Sequence, residues 1–152
     1  DCSQNNFEAT IDGTQFKSNE LSFCTSCEAS GSSSTFTTLN ASSKPYSSQI
    51  PPSSFFTINL TNSIPGTYYI GKLGCKRDSV NYYNGEANYI INHTASESEG
   101  YATDSLCDGI LTITNKDEQN RQLSGTFSFT GKQMMTTDTI LVTINGNFNG
   151  CY

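Results

Sequence analysis

Six cysteines are the residues of this chain best suited to covalent chemistry: Cys2, Cys24, Cys27, Cys75, Cys107 and Cys151. An even number spread from end to end reads as a disulfide set, and hence as a chain for an oxidising compartment. Zinc would need tighter clusters, commonly two CxxC pairs or one CxxC with paired histidines. The sequence holds one CxxC, Cys24-Thr25-Ser26-Cys27, and one histidine, so no metal is expected. A redox CxxC opens a helix after a strand. Here it ends a strand-like run and leads into Glu28-Ala29-Ser30-Gly31, which suits a structural bridge. Six cysteines permit 15 pairings, among which the sequence alone does not choose; the working expectation is Cys75 with Cys107, Cys24 with Cys27, and Cys2 with Cys151. The last would join the two ends, either within one chain or from one copy to the next.

Any Ser-His-Asp or Cys-His arrangement would have to use His93, the only histidine. It sits where a strand-like run enters a polar stretch, and no Gly-x-Ser-x-Gly elbow is present. A solvated imidazole is the expectation. Glu97, Glu99, Asp104 and Asp108 fall close together, but their spacing fits no calcium loop. A glycosidase pair would want a second carboxylate cluster and stacking Trp. No catalytic residue and no cofactor is expected. Adjacent strand residues point to opposite faces, so Tyr69, Tyr82, Tyr83 and Tyr101 are candidates for outward rings that contact protein or sugar. The same rings could instead cover sheet edges and cross-strand pairs.

The elements that must position these residues are strands. Phe7, Ala9 and Ile11 alternate with polar neighbours, and Asp12-Gly13 then makes a turn dipeptide. Runs at 14–18, 20–24, 35–39 and 54–60 follow, with a Pro-rich loop over 41–52. Pro65-Gly66 leads into a further strand. Residues 80–91 read as a hairpin about Asn84-Gly85, which would supply positive φ angles for a tight turn. Residues 92–106 read as an exposed acidic loop. "GILTIT" should pair with "LSGTFSF" across the charged tip 115–121, and "ILVTINGNF" closes the chain. The expected fold is all-β: a single-domain antiparallel β-sandwich or flattened barrel, about nine to ten short strands, disulfide-stapled, over residues 1–152.

Composition narrows the function classes. Lys plus Arg number 8 and Asp plus Glu 14, for a net charge of −6. Such a chain is a poor electrostatic match for nucleic acid or anionic lipid. Only 14% of residues are charged, while Ser and Thr together number 40 and Asn 15; hydroxyl and amide surfaces of this kind are common in extracellular β-proteins. No apolar run reaches transmembrane length and no signal peptide is present, so the chain reads as a mature secreted protein.

The order of "FEATIDGTQF", then "GILTIT", "QLSGTFSF" and "VTINGNF" resembles a family of small secreted proteins and lipoproteins of the Bacteroidetes whose function is unknown. The resemblance covers both ends of the chain and leaves the middle uncovered. It implies an all-β fold at the outer surface or outside the cell, and no catalytic residues. A lipoprotein of this kind would carry its lipid on a first-residue Cys, whereas Asp1 precedes Cys2 here. The triplets at Asp78-Ser79-Val80, Asp104-Ser105-Leu106 and Asp138-Thr139-Ile140 resemble the O-glycosylation signal of those bacteria, making Ser79, Ser105 and Thr139 candidate acceptors. Asn-x-Ser/Thr sequons stand at Asn40, Asn59 and Asn92, with Asn59 inside an expected strand.

Two functions are compatible with these features. One is a non-enzymatic extracellular structural or assembly protein: a surface, appendage or filament subunit whose partner is another copy. The other is a monomeric cell-surface binding module for glycan or protein, using outward Tyr residues and the 92–106 loop.

Overall fold

Alternation translates directly into strands. Phe7 and Ala9 turn inward and Glu8 and Thr10 outward in β1 (Asn6–Ile11), which pairs with β2 (Thr14–Ser18). Asp12 and Gly13 join them with φ of 44° and 85°, both positive as a type I′ turn requires. The chain continues through β3 (Glu20–Glu28), β4 (Thr35–Ser42), β5 (Ser53–Leu60), β6 (Gly66–Ile70), β7 (Lys76–Arg77) and β8 (Val80–Asn81). The remaining strands are β9 (Gly85–Asn92), β10 (Ser98–Thr103), β11 (Gly109–Asp117), β12 (Gln122–Gln133) and β13 (Leu141–Cys151). This computed structural model describes residues 5–18, 20–28, 35–44, 51–61, 63–72, 75–77, 80–81, 85–104, 108–134 and 136–152; at 25–28, 35–36, 76–77 and 80–81 only the backbone is described.

One antiparallel sheet holds eleven strands, nine of them along the path β2-β1-β13-β12-β10-β9-β5-β4-β3, and it curls until its two end strands nearly meet. Ser18 marks the closure: its Oγ donates to the Ser42 carbonyl of β4 and accepts the Glu20 amide at 2.9 Å. Asn5 Nδ2 donates to the Leu21 carbonyl at 3.2 Å, drawing β3 towards β1. The result is a nearly closed barrel. Its interior is filled by a ring-on-ring cluster in which Phe7 lies 5.0 Å from Phe56 and 5.2 Å from Phe127, and Phe56 lies 4.4 Å from Tyr89. Centroid separations in this range favour aromatic pairing beyond simple burial.

The carboxyl-terminal strand is not an edge. β13 pairs with β1 on one side and with β12 along eleven positions, Gln122↔Cys151 to Lys132↔Leu141, on the other. Asn5 Oδ1 accepts the Cys151 amide at 3.1 Å, and the Tyr152 amide donates to the Arg121 carbonyl at 2.9 Å. Residues 144–149 are thus held by strand pairing on both sides, and β12 pairs with the whole of 141–151.

β12 is long enough to serve two partners on its other side. Its first half pairs with β11 (Asp117↔Gln122 to Ile110↔Ser128), and its last three residues pair with β10 (Thr103↔Gly131 to Tyr101↔Gln133). β11 in turn carries β6. The sheet therefore forks at β12, where Phe129 and Thr130 pair with neither branch.

Three expectations are corrected here. Val80–Asn81 pairs with Lys76–Arg77, not with β9, and Gly85 opens β9 opposite Leu60 without a positive φ. Gly85 is needed for close approach instead: a Cβ there would stand 2.1 Å from the Asn59 carbonyl oxygen. The acidic stretch after Asn92 is likewise not all loop, because Ser98–Thr103 forms β10 against Asn88–Asn92. Among the described residues thirteen strands stand where nine or ten were expected, and those outside the expected runs are β10 and the two-residue strand β7.

Candidate binding cleft

The fork in the sheet creates a notch. On β9, Gly85, Ala87 and Tyr89 face the core, which turns Glu86 and Asn88 outward. On β10, Tyr101 and Thr103 face the core and Ala102 turns outward. Register aligns Asn88, Ala102 and Lys132 in one row across β9, β10 and β12. The single methyl of Ala102 between two longer side chains makes a floor.

The rest of the wall comes from connections. The Lys72 amide donates to the Asp104 carbonyl at 2.6 Å, which brings Lys72 to the end of β10. The Met134 amide donates to the Gly100 carbonyl at 2.7 Å, and Met134 Cε covers Gly100 so closely that a Cβ there would lie 2.2 Å from it. Gly100 leaves the room that Met134 occupies. Thr103, only 5% exposed, accepts the Ala87 amide on Oγ1 at 3.2 Å and so carries the β9–β10 connection one step beyond the ladder. The cleft enclosed by Lys72, Glu86, Asn88, Ala102, Lys132 and Met134 has a volume of about 430 Å³.

Its electrostatics are mixed. Among the described residues the ion pairs are Lys17–Glu8, Lys116–Glu118 and His93–Glu99, all elsewhere. Lys72, Lys132 and Glu86 therefore present their charges to the cleft without an ion-pair partner among the described residues. Ammonium groups supply donors, and Glu86 and the Asn88 amide supply acceptors beside an amide donor. That set can hold a polar ligand by hydrogen bonds on several sides.

The residues singled out in the sequence fall elsewhere. Tyr101 is only 8% exposed and faces the core, its ring 6.4 Å from that of Tyr89 and its hydroxyl donating to Glu99 at 3.2 Å. Burial, then the Glu99 charge, pushes its pKa above the usual tyrosine value, and burial does the same to Tyr89. Tyr69 is half-buried on β6, and Tyr82 and Tyr83 lie outside the described residues. His93 stands at the exposed β9–β10 turn with Nε2 3.4 Å from Glu99. No three His, Cys, Asp or Glu side chains gather to hold a metal among the described residues.

Thr139 is exposed, while Ser79 and Ser105 lie outside the described residues. The sequon asparagines sit on strands with cross-strand bonds. Asn40 Oδ1 accepts Thr57 Oγ1 at 2.9 Å, Asn59 Oδ1 accepts Thr38 Oγ1 at 2.8 Å, and Asn92 Nδ2 donates to Ser53 Oγ at 3.4 Å. No described cysteine is a free thiol, and Cys24, Cys75 and Cys151 are each disulfide-bonded. No complete bridge lies among the described residues, since Cys2, Cys107 and the Cys27 side chain are outside them.

The family model of a domain of unknown function, DUF6252, matches residues 3–150. The chain belongs to that family. No curated protein and no solved structure matches the chain. The DUF6252 match thus takes in the whole forked barrel, from ahead of β1 to Gly150 in β13. No helix among the described residues is long and apolar enough to cross a membrane.

Sequence reasoning missed Lys72, Glu86, Asn88 and Lys132. The alternation Gly85-Glu86-Ala87-Asn88-Tyr89 did signal that Glu86 and Asn88 share an outer face. Nothing in the sequence signals that β12 changes partners beside them.

Proposed function

We propose that this DUF6252 domain is a non-enzymatic extracellular binding module whose ligand site is the cleft at the fork. The observation that carries this reading is the cleft itself. Lys72, Lys132 and Glu86, without ion-pair partners among the described residues, surround a small-residue floor, and the volume falls inside the roughly 300–1,000 Å³ range of small-ligand sites. The disulfide-bonded state of Cys24, Cys75 and Cys151 supports an oxidising location outside the cell or at its surface. The pairing best supported is Cys75 with Cys107, because the Cys75 amide donates to the Lys72 carbonyl at 2.8 Å and Lys72 is bonded to Asp104, three positions before Cys107. Cys2 with Cys151 fits the hold of Asn5 on the Cys151 amide, which leaves Cys24 with Cys27. A glycan array probed with the purified chain tests the function. Binding that Ala102→Trp abolishes, with thermal unfolding unchanged, is the expected result. A chain that binds no glycan overturns it.

A second reading is an assembly subunit. It is favoured by β2, which among the described residues pairs with β1 alone and so offers the hydrogen-bonding edge of Thr14–Ser18 to a strand from another copy. Mass measurement in solution, with and without reductant, separates the two. A monomer of 16.5 kDa supports the module; a multimer or a reductant-sensitive ladder supports assembly.

A further inference from the structure

Charge placement around the cleft points to a ligand class, and this step rests on the binding-module reading. Lys132 rises from β12 on one side of the Ala102 floor, and Glu86 and Asn88 rise from β9 on the other. Lys72 enters at the end of β10 beside Asp104. In a chain of net charge −6 with only eight basic residues, two of them border this one cleft. Two ammonium groups without ion-pair partners among the described residues attract an anion. Glu86 across the floor repels a densely charged one such as a phosphate or polysulfate.

A ligand with a single carboxylate and many hydroxyls satisfies both walls. Its carboxylate meets the ammonium groups, its hydroxyls donate to Glu86 and to the Asn88 carbonyl oxygen, and the Asn88 amide nitrogen donates back. The Met134 methyl supplies a short apolar surface for the carbon face of a ring. We infer that the cleft binds an acidic saccharide, a uronate residue held between Lys72, Lys132 and the Glu86–Asn88 wall.

The test uses the full chain and calorimetric titration with oligogalacturonate and oligoglucuronate, each against the neutral oligosaccharide of the same hexose and length. The uronates should bind about tenfold tighter or more at low salt and lose that margin at high salt. Lys72→Gln combined with Lys132→Gln should bring acidic and neutral affinities together. Asn88→Ala should weaken both alike, and circular dichroism should show all variants folded. Equal affinity of the native chain for the acidic and neutral sugars overturns the uronate assignment and leaves the module reading standing. Preference for sulfated or phosphorylated sugars over uronates also overturns it. Absence of binding to every sugar overturns the module reading itself.

Discussion

Replacing Gly85 with Ala isolates the claim that this glycine serves close strand approach. A Cβ at Gly85 would lie 2.1 Å from the Asn59 oxygen, 3.0 Å from Leu60 Cδ2 and 3.1 Å from the Asn59 carbonyl carbon. Ordinary contact begins near 3.4 Å, and backbone cannot rotate away as a side-chain tip can. The first positions of the β5–β9 ladder, Leu60↔Gly85 and Asn59↔Glu86, must therefore open. The Gly71 amide loses its 2.9 Å bond to the Gly85 carbonyl as the strand moves.

Overpacking costs about 1–3 kcal/mol, and each hydrogen bond lost adds about 0.5–1.5 kcal/mol. Together these come to about 2–4 kcal/mol. For a domain of this size that lowers Tm by about 5–15 °C. Urea denaturation and thermal melting measure it directly. The control is Gly13→Ala. Gly13 has φ of 85° and nothing within 4 Å of the methyl that alanine would add, so its cost is that of the left-handed backbone alone, about 1–2 kcal/mol. If Gly85→Ala costs less than Gly13→Ala, the close-approach account is refuted and Gly85 reverts to a turn residue.

Three further outcomes are expected. Asn5→Ala removes the bonds to the Cys151 amide and the Leu21 carbonyl and should cost about 1–3 kcal/mol, with faster hydrogen exchange at Cys151; unchanged exchange there means the end of β13 is held otherwise. Tyr89 and Tyr101 have pKa values raised above 10.0 in the folded chain, so below that value their contribution to stability is complete, and it is lost as pH climbs through their folded pKa. Tyr101→Phe should flatten the alkaline limb of the stability curve, and an unaltered limb counts against burial as the cause. Non-reducing peptide mapping should recover Cys75 joined to Cys107, and a Cys2–Cys24 peptide would rule out the Cys2–Cys151 bridge.

Fold class and most of the strands are legible in the residues alone. Period-two alternation at Phe7–Ile11, Phe56–Leu60, Leu111–Ile113, Leu123–Phe129 and Val142–Ile144 places these strands and chooses their buried faces, because a strand sends neighbours to opposite sides whatever its partner. Asp12-Gly13 declares its turn through residues that tolerate positive φ. Asn84 lies outside the described residues, but Gly85 shows a second use of its residue type: Gly also serves where a backbone passes closely, and only the β5–β9 packing reveals that need. Tyr101 and its neighbours are ambiguous for a related reason: alternation says that two faces exist, but burial within the barrel selects the one inside. The cleft has no local signature at all. Lys72 and Lys132 are sixty residues apart in sequence, and they border one notch because β12 pairs first with β11 and then with β10. Strand partnership is set by packing and closure of the whole sheet, which no local pattern encodes.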